Sequence, residues 1–89
     1  MKPIAFSQHA LDHMPFRGAT REEVEAAIRS GERVPAKHGR QAYRKNFRFR
    51  SRWMGRYYET KQVMAVVVEE AERLLVVTVY AFYFGGEGP

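Results

Sequence analysis

The sequence contains no cysteine. This excludes a scaffold held by disulfides and a zinc site built on thiolates. Long hydrophobic runs are also missing, since the longest apolar stretch is the 11 residues 74–84, and a membrane-spanning helix needs about 20. The first residues carry no apolar segment of the signal-peptide kind. We therefore expect a soluble, cytoplasmic protein without a membrane segment.

Acidic residues are scarce in the middle of the chain. Residues 37–61 contain nine basic residues and one acidic residue, Glu59, which gives this segment a charge of +8. The remaining residues contain six basic and nine acidic side chains, a charge of −3. Positive charge concentrated in one segment is typical of proteins that bind nucleic acid or steer anionic substrates.

The length and composition indicate one globular domain. Eighty-nine residues leave room for a single hydrophobic core, and 45% hydrophobic residues is ordinary for a folded chain. We expect one domain over residues 1–89, with an ordered core over about 4–84. The glycine-rich end, 85–89, is predicted to be a flexible tail.

Two helices are predicted near the start. Ser7 can cap the first helix, and the proline after Met14 predicts that this helix ends at or before Met14. Thr20 and Glu23 have the spacing of a capping box at the start of the second helix. Gly31 is predicted to end the second helix in a left-handed conformation.

Strand periodicity begins near Tyr43. Alternation continues to Tyr58, but at about 3.3 Å per residue one strand of this length would exceed about 50 Å. A turn must interrupt it, and Met54–Gly55 is the best candidate, with Ser51 as the alternative. Two valine-rich strands follow, joined by a turn at Ala71–Glu72, and a short edge strand is predicted around residues 33–34.

These elements predict an α+β fold, with two N-terminal helices packed on a small antiparallel β-sheet. The last two strands have apolar residues at both parities, which predicts burial on both sides. Two helices cover only one face of a sheet, so the other face needs a partner. A homodimer is the simplest solution.

The strand from residue 43 has two different sides. Its aromatic side chains are predicted to face the helices, and its arginines to project from the opposite face. The aromatic set is Tyr43, Phe47, Phe49, Trp53 and Tyr57, and the arginine set is Arg44, Arg48, Arg50, Arg52 and Arg56. These arginines are either a solvated row that protects a sheet edge or a surface for phosphate. A platform for stacking bases would need exposed aromatics, and the core's need for large side chains argues against that.

The segment FSQHALDHMPFRGATREEVEAAIRSGE resembles the pattern S-x-H-A-x-x-x-M-x-x-R-G-[I/A]-[ST]-x-E-E-V of a bacterial family of small domains of unknown function. LLVVTVY resembles that family's last strand, so the likeness covers roughly residues 6–82. This family is usually grouped with RelE/ParE and BrnT-like toxins, which include ribosome-dependent messenger-RNA endonucleases and gyrase poisons. The resemblance implies two N-terminal helices on a small antiparallel sheet. It singles out His9, Arg17, Thr78 and Tyr80, and the chain departs from the pattern at Pro15–Phe16.

Ribonuclease chemistry without a metal needs a base, an acid and cations that stabilise the phosphate. His9, His13 and His38 can serve as base or acid, and Tyr80 as acid. We take His9 and Tyr80 as the catalytic candidates. The residues predicted to bind nucleic acid are Arg17, Arg44, Arg48, Arg50, Arg52, Arg56 and Lys61, with Lys61 either at a pocket edge or merely at a strand start.

Metal binding is not predicted. His9 and His13 share a helix face at the i, i+4 spacing that can hold zinc. A third ligand would have to come from Asp12 or elsewhere, and the glutamate of an HExxH motif is missing. We therefore expect no metal and no cofactor.

The leading functional hypothesis is binding of RNA or the ribosome through the arginine-bearing strands, with activity as an endoribonuclease-type toxin. The first alternative is a non-catalytic oligomeric binding module that pairs with an acidic protein partner such as an antitoxin. The second alternative is a role on DNA or gyrase, which the same charge would serve.

Overall fold

A computed structural model of the chain describes residues 1–86, in which five strands form one sheet with the order β1-β5-β4-β3-β2. The elements are β1 (Ile4–Phe6), α1 (Gln8–Arg17), α2 (Arg21–Ser30), β2 (Glu32–Pro35), β3 (Gln41–Trp53), β4 (Arg56–Glu69) and β5 (Leu74–Phe84). Two helices packed on a sheet confirm the α+β class. Neither helix in this part of the chain is long and apolar enough to cross a membrane.

The sheet is mixed, so the prediction of an antiparallel sheet is wrong in one strand. The short strand β1 precedes both helices and pairs in parallel with β5, while the other strand pairs are antiparallel. Backbone hydrogen bonds hold β1 at both ends, from Leu74 N–H to the Pro3 carbonyl and from Ser7 N–H to the Val76 carbonyl, each 2.9 Å. Three residues are too few to show a periodicity in sequence. The predicted edge strand near residues 33–34 is confirmed as β2.

Helix α1 continues to Arg17, so the predicted end at Met14 is wrong. Pro15 lies inside the helix, and Ser7 caps its start as predicted. Gly18 ends the helix with a left-handed φ of 71°, and its N–H donates to the Pro15 carbonyl at 3.2 Å. A proline costs its own helical hydrogen bond and strains the turn before it. The closing bonds at Gly18 lie C-terminal to it and are unaffected, so the last turn still forms.

Helix α2 begins with the predicted capping box. The Glu23 N–H donates to the Thr20 hydroxyl at 3.1 Å, and the Thr20 N–H donates to the Glu23 carboxylate at 3.0 Å. The predicted left-handed stop is wrong, because Gly31 is extended, with φ −85° and ψ −178°. Glycine is required there by close packing, since a Cβ atom would lie 2.4 Å from the carbonyl oxygens of Ala27 and Arg44.

Strands β3 and β4 form a long hairpin that turns at Met54–Gly55, as predicted. Both turn residues have positive φ, 54° and 81°, as in two-residue hairpin turns. The β3–β4 register shifts between Arg48 and Ser51, and Arg50 in this bulge has a φ of 43°. An extra residue in one strand breaks the alternation of faces. The two-sided pattern of β3 therefore cannot be extended past Arg48 to the hairpin tip.

The hydrophobic core lies between the helices and one face of the sheet. Its buried members are Ala10, Met14, Ala19, Val24, Ile28, Val63, Ala65, Val67, Leu74, Val76 and Val79. Tyr43 and Phe47 pack against this core, as predicted for the aromatic set of β3. Tyr57 departs from that prediction, because its hydroxyl donates to the exposed Glu59 carboxylate at 3.0 Å.

Lys61 is the one charged side chain buried on the core side among the described residues, with 6% of its surface exposed. Its ammonium lies 2.8 Å from the Glu23 carboxylate and donates to the Gly18 carbonyl, also at 2.8 Å. The Phe49 ring lies 5.1 Å below it. The side chain therefore ties strand β4 to the corner between the two helices.

Tyr83 makes a second tie at the same corner. Its hydroxyl donates to the Arg17 carbonyl at 2.7 Å, and burial, followed by the nearby Glu23 charge, raises the pKa of Tyr83 to about 12. The rings of Phe49 and Trp53 lie 5.3 and 5.2 Å from the Tyr83 ring. These aromatic contacts connect the hairpin to the end of α1. Of the predicted tail, residues 87–89 lie outside the described residues, and the Gly85 carbonyl accepts a hydrogen bond from Glu59 N–H.

The Lys61 network yields a stability prediction. Lys61→Met leaves the Glu23 carboxylate without its cation in a mostly buried site, and we expect a loss of about 2–3 kcal/mol in the free energy of unfolding. Adding Glu23→Gln to Lys61→Met should recover part of this loss, because no unpaired charge then remains. The measurement is urea unfolding.

The control is Glu25→Gln, which breaks the exposed Glu25–Arg29 pair on α2 and should change the free energy of unfolding by less than about 0.5 kcal/mol. A Lys61→Met variant as stable as this control would show that the buried pair does not hold the corner.

Candidate nucleic-acid interface

Strand β5 exposes a row of aromatic side chains on the side away from the helices. Tyr80, Phe82 and Phe84 are 37%, 46% and 44% exposed, whereas Val79 on the other side is fully buried. The Tyr80 and Phe82 rings are 6.3 Å apart with their planes 19° from parallel. The predicted burial of β5 on both sides is therefore wrong for the single chain.

The pairing register arranges this side of the sheet as three rows that cross β5, β4 and β3. The rows are Tyr80–Met64–Arg44, Phe82–Gln62–Asn46 and Phe84–Thr60–Arg48. We call these nine residues the open face. Each row has an aromatic ring at its β5 end and a polar or cationic side chain at its β3 end. The arrangement follows from strand alternation, since residues two apart share a face.

Cations border the aromatic row. Arg17 extends from the end of α1, and its guanidinium lies 4.9 Å from the centre of the Tyr80 ring. Arg48 makes no ion pair with any described residue. Arg44 is paired with Glu32 at 2.8 Å. A shallow cavity of about 330 Å³ lies at the Arg48 end, where Phe84 and Thr60 also line it.

The other predicted nucleic-acid residues lie elsewhere. Arg50 pairs with Glu59 at 3.2 Å, and hydrogen bonds from Tyr57 and then Arg50 hold the pKa of the Glu59 carboxyl below its usual value. Arg52 donates to the Gly55 carbonyl at 3.3 Å. Arg52 and Arg56 belong to the hairpin tip, beyond the register shift, and Lys61 is buried beneath the helices. The structure therefore places Arg17 and Arg44 at opposite ends of the Tyr80 row and Arg48 in the Phe84 row, with Arg50 at the cavity that Arg48 also lines. The rest lie at the hairpin tip or beneath the helices.

The two catalytic candidates lie in different layers. His9 is exposed on α1, and its ring lies 4.1 Å from that of His13. Tyr80 lies on the open face, beside Arg17. Asp12 accepts a hydrogen bond from Gln8 at 2.8 Å. Within residues 1–86 no three His, Asp or Glu side chains come close enough together to hold a metal ion.

Sequence reasoning missed Phe82, Phe84, Asn46 and Gln62. The signal for them in the sequence is the alternation of aromatic residues along β5, with a ring at every other position from Tyr80 to Phe84. Two helices can cover only one face of a sheet, so the β5 side chains that point to the other face had to remain uncovered. The side carrying Val79 is aliphatic and packs in the core, which leaves the aromatic side exposed.

Comparison with known protein families identifies the class of domain. Residues 6–81 match the family described as "Domain of unknown function (DUF4258)". The chain belongs to this family, and the match covers both helices and nearly all of the sheet. No curated protein and no solved structure matches the chain.

The open face can be tested by a matched pair of substitutions in β5. We expect Phe82→Ser to cost about 1 kcal/mol in the free energy of unfolding, because the ring is about half exposed and its removal leaves no enclosed cavity. Val79→Ala should cost about 2 kcal/mol, because it leaves a cavity in the core. The measurement is urea unfolding at several protein concentrations. Equal costs for the two substitutions would indicate that something covers the open face.

Proposed function

We propose that this protein binds single-stranded RNA on the open face. The observation that supports this is the exposed aromatic row of β5, bordered by Arg17 and Arg48. Single-strand binding proteins combine cationic side chains that follow the backbone with aromatic rings on which bases stack. The open face supplies both within one surface.

The spacing of the rings favours separated bases. Alternate residues of a strand are about 6.6 Å apart, and the distance of 6.3 Å between the centres of the Tyr80 and Phe82 rings agrees with this. Bases within a duplex repeat every 3.4 Å or so along each strand. Successive rings therefore suit nucleotides whose bases are splayed apart. A duplex, with its bases stacked and paired, would reach the rings poorly.

The charges favour an anionic backbone beside the rings. Arg48 makes no ion pair with a described residue, although Glu59, which is paired with Arg50, lines the same cavity. Arg17 keeps its guanidinium against the Tyr80 ring, beside the aromatic row. Arginine's planar fork suits phosphate oxygens. Two or three phosphate contacts predict a moderate salt dependence, with a slope of about −0.7 per contact on a plot of log affinity against log salt. Binding should be micromolar in strength rather than tight.

RNA cleavage in the manner of RelE/ParE or BrnT-like toxins is a further step of the same proposal. Tyr80, on the open face, would donate a proton to the leaving oxygen, and Arg17 beside it would bind the phosphate. The proton of the attacking 2′-hydroxyl would pass to water, because His9 lies in the other layer. The ribosome would then be one source of the single strand. Gel analysis of the oligouridine after incubation with the protein reports on this step separately from the binding result.

A second candidate function uses the same surface for protein association. Aliphatic side chains with intermediate exposure continue the open face toward the β4–β5 turn, namely Val66, Val68 and Leu75. A contiguous apolar surface of this kind is typical of an interface. A homodimer, or a module that pairs with an acidic protein or with DNA or gyrase, would cover it. Sedimentation of the free protein distinguishes the dimer from the monomer that the RNA proposal uses.

The proposal predicts salt-dependent binding of a labelled single-stranded oligouridine, measured by fluorescence anisotropy. Phe82→Ala should weaken binding about tenfold, because stacking on one ring contributes about 1–3 kcal/mol. Arg48→Ala should weaken it and lower the salt slope by about 0.7. A duplex RNA of the same length should bind more weakly than the single strand, and oligodeoxyuridine provides the comparison for the sugar.

Two control variants remove the same types of side chain while leaving the open face intact. Phe16→Ala removes an exposed ring from α1, and Arg29→Ala removes an exposed cation from α2. Neither should change affinity by more than about twofold. If the wild-type protein fails to bind, or if the controls weaken binding as much as Phe82→Ala and Arg48→Ala, the proposal is wrong.

A further inference from the structure

We infer that the amide pair of Asn46 and Gln62 reads the identity of the base at the middle row of the open face. The inference rests on the proposed RNA binding and assigns its sequence preference to one of three positions. The residues that set affinity, the rings and arginines, are then distinct from the residues that set specificity.

The register places both amides in line with the middle ring. Gln62 pairs with Phe82 on one side and with Asn46 on the other, so all three belong to one row. The Gln62 side-chain N–H donates to the Asn46 side-chain oxygen at 2.9 Å. Both amides also line a cavity of about 290 Å³ at the edge of β3. The end of α2 at Ser30–Gly31, together with Glu32, Arg44 and Lys45, forms the rest of its lining.

The hydrogen bond between the two amides leaves most of their donors and acceptors unused and restricts their conformations. An amide side chain carries two N–H donors and an oxygen acceptor. The bond uses one N–H of Gln62 and one lone pair of Asn46, so the Gln62 oxygen, its second N–H and both Asn46 N–H groups stay available. The bond also restricts the rotamers of both side chains. Less conformational freedom is then lost when a base binds.

A base stacked on Phe82 would present its edge to these amides. Stacking places the base parallel to the ring, and the open face extends from Phe82 toward Gln62. A paired donor and acceptor on one amide suits a base that offers the complementary pair, and adenine is the usual partner of Asn and Gln. A well-made pair of this kind discriminates by about 1–3 kcal/mol, which corresponds to about tenfold or more in affinity.

The flanking rows lack this capacity. In the Tyr80 row the central side chain is Met64, whose thioether forms only weak hydrogen bonds. In the Phe84 row it is Thr60, whose hydroxyl rotates to donate or accept and so accommodates any base. The arginines at the β3 ends of these rows suit phosphate. Discrimination is therefore expected at one nucleotide in three.

The test uses four pentanucleotides, UUNUU, in which N is each of the four bases. They can slide until N reaches the preferred row, so position need not be known in advance. The wild-type protein should bind the adenine oligomer about tenfold more tightly than UUUUU. Gln62→Met keeps the length of the side chain without its hydrogen bonds, and Asn46→Ala removes the partner amide. Both should abolish the preference, so that the adenine oligomer binds no more tightly than UUUUU.

Thr60→Ala, in the neighbouring row, is the matched control and should keep the preference. Equal binding of all four oligomers by the wild type, or a preference that survives Gln62→Met, would overturn the inference while the RNA proposal stands. Failure of every oligomer to bind would overturn the RNA proposal itself. Because both amides lie on the surface, circular dichroism and thermal melting of the variants should match the wild type.

Discussion

The buried ion pair between Lys61 and Glu23 anchors the helices on the side of the sheet whose aliphatic residues form the core. It joins the middle strand β4 to the first turn of α2, and the same ammonium donates to the carbonyl of Gly18, the residue that ends α1. Tyr83, which lies on the adjacent strand β5, holds the end of α1 through its hydrogen bond to the Arg17 carbonyl. With both helices anchored on this side, the opposite side of a five-stranded sheet has no cover of its own within the described residues. The open face is thus a direct consequence of how the helix corner is attached.

The same attachment links the two sides of β5. Tyr83 holds the Arg17 backbone from the helix side, while the Arg17 side chain reaches Tyr80 on the open face. Aromatic rings, cations and amides then occupy different parts of one surface, in rows set by the strand register. This division matches the separate tasks of RNA recognition, which are stacking, phosphate neutralisation and reading of base edges. A contiguous group of exposed apolar rings on a small domain typically marks a binding surface.

Local chemistry made part of this structure predictable. The capping box at Thr20 and Glu23, the turn at Met54–Gly55 and the alternation of β3 as far as Arg48 depend on neighbouring residues alone. The rest depends on long-range packing. Strand β1 forms because it pairs with β5. Lys61 is buried because a carboxylate on another element neutralises it. Helix α1 ends at Gly18 rather than at Pro15. The bulge at Arg50 shifts the phase of the later β3 arginines, so Arg50 pairs with Glu59 and Arg52 donates to the Gly55 carbonyl.

The most direct test of the central claim is to map RNA contacts on the ¹⁵N-labelled protein by following amide chemical shifts during titration with a short single-stranded RNA. The account predicts that the largest shifts occur at Asn46, Gln62 and residues 80–84, with the outer surface of α1 and α2 unaffected. Shifts confined to the hairpin tip at residues 50–56, or to the helices, would contradict it.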